Sequence, residues 1–280
     1  MTGDFEVSYI DSSGRAWPLQ SRELGLAAYS EDAYGWDWSS DDGRDMGVTL
    51  AALDGGALAA LDAALAAAES DRDAGTPGLL SVLVPGGQSP WRTRCTVSKG
   101  DPAWLAGAAA AWSATLHQET GDWTRETTTE FLPYSATGSD HGGADLPTDL
   151  PLDLGASGSS SYLDVPGPLP CDLRITWYGR AANPSVWIGG NLYRVGVTVP
   201  DGGLLTVDTT RRKSMAGDAV VLRDRYGVET DAYRYRERGS EGSGSYIFER
   251  LRPGRLSVSW PQSYGLDVTV IERMGRLPWS

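Results

Sequence analysis

The sequence predicts a mainly β protein in two parts: an N-terminal β-rich domain with one α-helix, and a C-terminal two-sheet sandwich of the jelly-roll type. Three observations predict it. Apolar and polar residues alternate along several short stretches, most regularly after residue 170. One longer segment instead repeats its leucines at helical spacing. Between the halves lies a stretch where proline, glycine and serine concentrate.

In the C-terminal half, Leu173, Ile175 and Trp177 alternate with Arg174, Thr176 and Tyr178. Tyr193, Val195, Val197 and Val199 alternate with Arg194, Gly196 and Thr198, and Leu256, Val258 and Trp260 with Ser257 and Ser259. Successive strand side chains point to opposite faces, so each run turns one face to a core and the other to water. Further strands are expected at Leu204–Asp208, Ala219–Arg223, Ser245–Arg250 and Leu266–Glu272. Gly189-Gly190-Asn191, Pro200-Asp201-Gly202-Gly203 and Pro253-Gly254 supply turns between them. Short strands at this spacing indicate a sandwich.

The N-terminal half holds the helix. Asp54 is a natural N-cap, and Leu58, Leu61 and Leu65 follow at i, i+3 and i+7 with alanines between. The helix is expected from Asp54 to about Glu69, with Gly75-Thr76-Pro77-Gly78 barring its continuation. Strands are expected around it at Phe5–Ile10, Leu79–Val84, Thr93–Ser98, Trp112–Gln118 and Thr127–Phe131. The break contains Leu146-Pro147-Thr148-Asp149-Leu150-Pro151, the run 155–161 and Pro166-Gly167-Pro168-Leu169-Pro170. Each proline removes a ladder donor and fixes φ, so long regular elements cannot form there. The expected layout is a first domain over 1–145, a strap over 146–170 and a second domain over 171–280.

The charge divides along the same line. Residues 1–150 hold 8 Lys+Arg against 23 Asp+Glu, a net of 8 − 23 = −15; residues 151–280 hold 16 against 14, a net of +2, which together make the −13 of the chain. An acidic chain repels phosphate backbones, so sequence-specific nucleic-acid binding is not expected. Cys95 and Cys171, one in each half, form no disulfide framework and no metal set. The start, Met1-Thr2-Gly3-Asp4-Phe5-Glu6, has no signal-peptide character, and the longest apolar run, around Trp104 to Trp112, is too short for a membrane span. The expected setting is soluble, with no membrane partner.

The residues argue against catalysis. Lys99 and Lys213 are the only lysines and neither completes a phosphate-cradling loop; His117 and His141 are the only histidines. No nucleophile elbow or zinc-protease helix is present. Glu31, Asp32, Asp37, Asp41, Asp42 and Asp45 could suggest calcium. Counted from Asp37, however, the EF-hand glycine and glutamate positions hold Asp42 and Val48, so a solvated acidic loop is the better reading. Glu126 and Glu130 are a chance carboxylate pair in so acidic a sequence. Tyr233-Arg234-Tyr235-Arg236-Glu237-Arg238 could stack bases or sugars, but an exposed strand with its tyrosines on the sandwich is favoured. No catalytic residue, cofactor site or metal site is assigned. Among the 11 tryptophans, Trp177 and Trp260 belong to a core. Trp36, Trp38, Trp91 and Trp279 lie in less regular segments and are the candidates for a subunit interface.

The C-terminal half resembles the galectin-like domain of siphophage distal tail proteins. The residues that carry this are Pro184-Ser185-Val186-Trp187-Ile188, Leu204-Leu205-Thr206-Val207-Asp208-Thr209, Phe248-Glu249-Arg250-Leu251-Arg252-Pro253-Gly254 and the final Arg276-Leu277-Pro278-Trp279. The N-terminal half is similar to the family's belt domain through Ala114-Thr115-Leu116-His117-Gln118 and Gly121-Asp122-Trp123, where relatives more often show an Asp-Pro step. The resemblance implies a structural virion protein, assembled in the host cytoplasm, that forms a homohexameric ring at the phage tail tip. Its implied partners are other copies of itself, the tail tube protein, the tail-tip hub and receptor-binding proteins. No catalytic residue is implied. A carbohydrate-binding adhesion module is the alternative, and it requires exposed coplanar aromatics on a sheet face. In a ring, the excess acid of residues 1–150 would line the channel, where an acidic wall leaves passing DNA unbound. Limited proteolysis of the free protein should cut first between residues 135 and 170; first cuts elsewhere, with that segment intact, would refute the layout.

Overall fold

The computed structural model describes residues 5–30, 45–84, 86–107, 109–133, 161–212, 217–275 and 277, and they are mainly β with one α-helix. The chain divides into two compact units, Met1–Glu126 with Arg273–Ser280, and Thr127–Glu272. The divisions fall inside one strand and near the end of another, not in the expected strap.

The first unit contains β1 (Glu6–Ile10), β2 (Ala16–Gln20), β3 (Leu26–Ser30), β4 (Asp45–Ala52), α1 (Gly55–Asp73), β5 (Gly78–Leu83), β6 (Trp91–Ala106), β7 (Ala109–Gln118) and the start of β8 (Trp123–Phe131). All neighbours are antiparallel, in the order β2-β1-β5-β6-β7-β4-β3. Ser21 and Leu26 exchange backbone hydrogen bonds of 3.0 and 2.9 Å, tying the end of β2 to the start of β3. The hydrogen-bonded path thus returns to its start, as in a barrel.

The helix forms where the leucine spacing places it. Asp54 caps it by accepting from the Ala57 N–H at 2.8 Å, and Gly75, at φ 67°, ends it in a conformation that suits glycine. Ala57, Leu61, Ala64, Leu65 and Ala68 are buried, and Leu58 packs partly against the same core. Alanines on this face let the helix axis approach the strands closely. The helix runs a turn beyond the expected Glu69 because Asp71 is held by β1 and the turn after it. Its carboxylate, 6% exposed, accepts from Tyr9 Oη at 2.8 Å, Ser12 N at 3.0 Å and Ser12 Oγ at 2.5 Å. Burial, followed by the bond to Asp71, pushes the Tyr9 phenol far above its ordinary pKa. Tyr9 reaches Asp71 past Gly78, where any Cβ would collide with the Tyr9 ring and the Ile10 carbonyl.

The second unit contains β9 (Ser161–Val165), β10 (Asp172–Tyr178), β11 (Ala181–Ala182), β12 (Ser185–Ile188), β13 (Asn191–Arg194), β14 (Thr198–Val199), β15 (Leu204–Asp208), β16 (Val220–Arg223), β17 (Glu229–Asp231), β18 (Gly254–Ser259) and β19 (Leu266–Met274). One sheet runs β17-β16-β15-β10-β19 and then the end of β8; a second runs β13-β12-β18-β9. The alternation read in β10 is what joins them. Ile175 lies between Val207 and Val268, and Trp177 between Leu205 and Leu266, all fully buried. Val186, Ile188, Leu163, Val165 and Val258 of the second sheet belong to the same core, so the unit is a β-sandwich.

Four expectations are corrected. Ser245–Arg250 is not a strand: it makes one isolated bridge, Tyr246 to Arg238, and side chains take other backbone groups. Asn191 accepts from Tyr246 N at 3.1 Å and donates to Tyr246 O at 2.9 Å, and Tyr193 Oη donates to Glu249 O at 2.9 Å. The run from Tyr193 to Val199 is broken, because the Val197 N–H turns back to Val195 O at 3.0 Å. Tyr233–Tyr235 is a 3-10 turn whose first N–H is taken by the Asp231 carboxylate at 2.8 Å, not an exposed strand. Within the expected strap, Ser161–Val165 is a strand paired with β18, and Leu277 from the chain end packs in the core of the first unit.

Leu61→Ala should destabilise the protein by about 2–5 kcal/mol through the cavity it leaves; denaturant unfolding checks this, and a loss below about 0.5 kcal/mol would place the helix face outside the core. The β1–β2 turn carries an acid-sensitive element. Asp11 accepts from Ser13 Oγ at 2.6 Å, Trp17 Nε1 at 2.8 Å, Arg15 N at 2.9 Å and Ser13 N at 3.0 Å. The Ser13 hydroxyl, then the Trp17 indole, hold its carboxyl down at about 2 against the ordinary 3.8. A depressed carboxyl stabilises the turn fully above the ordinary value and loses that effect as pH falls towards the folded one. Protection of the Ser13 and Arg15 amides should therefore persist at pH 4 and fade between about 3.8 and about 2.

Candidate assembly surface

Alternation in β6 stops at Ser98. Trp91, Thr93, Cys95 and Val97 point inward, but every residue from Lys99 to Ala106 is exposed or nearly so. Pairing explains the change. β5 borders β6 only from Trp91 to Cys95, while β7 accompanies it to Ala106. Beyond Cys95, no strand among the described residues pairs with the far edge of β6. The register shifts on both sides of Pro102, which has no N–H to offer. Gly100 sits so close to Ser113 that a Cβ would meet its hydroxyl, and the Ser113 hydroxyl donates to Asp101 O at 3.0 Å. Lys99 marks the exit from the core, with its ammonium 4.9 Å from the centre of the Trp112 ring and 3.7 Å from Asp62.

The hairpin end lies in register with other exposed apolar groups. Leu26 pairs with Ala52, Ala52 with Ala110 and Ala110 with Leu105, forming one row across β3, β4, β7 and β6. Leu53 follows Ala52, and its N–H donates to Gly25 O at 3.0 Å, which brings Leu24 to the same end. Leu24, Leu53, Trp104 and Leu105 are 48%, 58%, 42% and 70% exposed. They are all the exposed large hydrophobics among the described residues of this unit, and they lie on adjacent rows. Single exposed leucines need no explanation; three leucines and a tryptophan at one end, beside an unpaired strand edge, are a candidate contact surface.

This surface is not the one the tryptophans suggested. Trp36, Trp38 and Trp279 lie outside the described residues. Trp91 is fully buried in the first unit's core, with the Arg125 guanidinium 4.7 Å from its ring centre, so it cannot serve as an exposed interface residue. Its position opens β6, and the inward alternation of Trp91, Thr93, Cys95 and Val97 was the available signal. Trp104 and Leu105 were also legible. Adjacent residues of a strand face opposite sides, so two bulky apolar neighbours cannot both enter a one-sided core. Leu24 and Leu53 carry no such mark.

The remaining candidates separate. Of the acidic cluster, only Asp45 is described; it sits opposite His117 on the β4–β7 ladder, and the two side chains pair at the surface. Glu126 and Glu130 are exposed on β8. No cluster of three metal-ligating side chains occurs among the described residues. Cys95 and Cys171 are both buried, and burial pushes the Cys95 thiol up to about 12. No helix among the described residues is long and apolar enough to cross a membrane.

No family model matches the sequence, and no curated protein matches it. Among solved structures, the chain matches phage proteins over nearly its whole length at low identity. The Dit protein of phage SPP1, described as a paradigm of the hub adsorption apparatus in phages that infect Gram-positive bacteria, is 10% identical over 96% of this chain and 99% of that one, at a TM-score of 0.44. A chain of the phage P2 baseplate, in its activated conformation with calcium, is 9% identical over 99% of this chain and 100% of that one, at 0.48. The same baseplate with strontium gives 8%, 98%, 100% and 0.46.

Proposed function

We propose that the protein is a structural component of a phage tail tip, a distal tail protein whose copies join into a ring between the tail tube and the tip hub. The observation that carries this reading is the apolar end of the first unit, where Leu24, Leu53, Trp104 and Leu105 stand beside the unpaired edge of β6. A free edge offers backbone hydrogen bonds, and the leucines and Trp104 offer apolar area; a second copy can use both. The sequence resemblance to distal tail proteins supplies the setting, with the first unit building the ring and the sandwich left for tail and receptor-binding partners. The acidity of residues 1–150 suits a wall that DNA passes without binding.

One observation favours a carbohydrate-binding module as a second reading. On the outer face of the sheet β13-β12-β18-β9, Tyr162 and Trp187 are 44% and 48% exposed. They stand across from Ser257 and Ser259 of β18. The Arg255 guanidinium, however, lies 4.3 Å from the Tyr162 ring centre and occupies one of the two aromatics. Pull-down on purified host wall separates the readings.

Native mass at several concentrations tests the ring. The chain of 29.9 kDa should assemble to a closed multiple of itself, and Trp104→Ser with Leu105→Ser should lower the affinity at least tenfold while leaving the fold intact. A wild type that stays monomeric throughout, or a double variant that assembles as well as wild type, would sink the proposal.

A further inference from the structure

The second unit holds a pocket of about 320 Å³ whose chemistry the assembly reading does not use. Arg212, Arg236, Arg238 and Glu237 line it, with Tyr233 and Tyr246 in its wall. The only carboxylate in the lining is already engaged: Arg194, from outside the pocket, grips Glu237 Oε2 through Nε at 2.9 Å and Nη2 at 2.5 Å. Three arginines therefore line the space, and the carboxylate in its lining is already paired. Among the described residues, neither Arg212 nor Arg238 has an ion-pair partner.

The position of Arg236 is built. Its Nη1 donates to Tyr233 O at 2.9 Å, and its guanidinium carbon lies 3.7 Å from the Tyr233 ring centre. Tyr233 in turn stacks on Phe248 with centroids 5.9 Å apart, and Phe248 is 3% exposed in the sandwich core. Tyr246 meets Phe248 edge-on at 5.9 Å. A cation held on a ring that is itself anchored in a core keeps its remaining donors in place, and the entropy of ordering it is spent on folding. Arg212 follows a 3-10 turn, Thr209–Arg211, that is capped by the buried Asp208 carboxylate. Tyr233 is already engaged by Arg236 and Phe248, so the pocket offers guanidinium donors more than an open ring face.

We propose that this pocket binds the phosphoryl group of a small phosphomonoester. Guanidinium forks match phosphate oxygens, and a tetrahedral group with three oxygens and nearly two charges can engage three arginines at once. A carboxylate, with two oxygens and one charge, offers fewer acceptor sites and about half the charge. The volume suits a phosphoryl group with a small polar body attached and is far too small for a duplex. This site is independent of ring assembly, since no residue of the apolar end takes part in it.

Calorimetric titration of the full chain tests it. The probes are glycerol 3-phosphate, a glycerol-phosphate oligomer that ends in a phosphomonoester, glucuronate and a short DNA duplex. The two phosphate probes should bind, and glucuronate and duplex should bind at least about tenfold more weakly. Preference for the oligomer would identify a polymer as the source of the group; equal or better binding of the monomer would identify a free ester. Arg212→Ala and Arg238→Ala should each weaken binding about tenfold or more, while Arg225→Ala, exposed on a different loop, should not. Arg238 is exposed, so Arg238→Ala decides the matter even if Arg212→Ala misfolds. No binding of either phosphate, binding that ignores Arg238, or glucuronate or duplex binding equal to phosphate would overturn the assignment.

Discussion

A sheet has two faces, and one of them must be covered by something apolar; this constraint organises both units. In the first unit a single helix does the covering. Its buried face is made of alanines and two leucines, which sacrifices apolar area for close approach, and its last turn is fastened by a buried carboxylate rather than by more leucine. Asp71 can be buried because Tyr9 and Ser12 satisfy it with three hydrogen bonds. An unsatisfied carboxylate there would cost more than the packing around it returns. The requirement reaches back to Gly78, which makes room for Tyr9. In the second unit the cover is another sheet, so the core is built from branched and aromatic side chains meeting face to face.

Satisfying the backbone is the second demand, and the sandwich meets it unevenly. β10 lies in the middle of its sheet with ladders on both sides. At the margin, side chains replace strands. Asn191 treats Tyr246 as a neighbouring strand would, Tyr193 caps Glu249, and the Tyr264 hydroxyl both accepts from Ser185 N at 2.8 Å and donates to Ser185 O at 2.9 Å. Irregular segments held this way can turn where a ladder cannot. That is how Tyr233, Arg236 and Tyr246 come to wall a pocket although they belong to no strand. The cationic lining and the well-formed core beneath it have one origin, since Phe248 anchors the rings on which Arg236 rests.

The same two demands shape the apolar end of the first unit. Where β5 stops, β6 loses both its cover and one ladder, and what remains is an edge with bulky apolar groups beside it. Proteins usually blunt such edges with charge, proline or bulges. Here Pro102 and the shifts around it disturb the edge, yet Trp104 and Leu105 are left outside. It is this exposed end that the proposed self-association would cover.

Local chemistry was legible in the sequence. The helix start at Asp54, the strands around Ile175, Val207 and Val268, and the burial of Trp177 all follow from spacing, because period and capping are written in neighbouring residues. What required the tertiary structure was every partnership between distant residues. The alternation of Trp91 with Thr93, Cys95 and Val97 marks it as inward, but which distant residues bury it was decided by the fold of the first unit. Ser245–Arg250 had the composition of a strand but makes one isolated bridge, Tyr246 to Arg238, and otherwise meets side chains. Leu277 settled in the core of the first unit, and the helix outran its expected end because Asp71 found Tyr9 62 positions away. Spacing along the chain determines which face of an element is apolar. Which surface then covers that face depends on contacts across the sequence, and only the folded chain decides it.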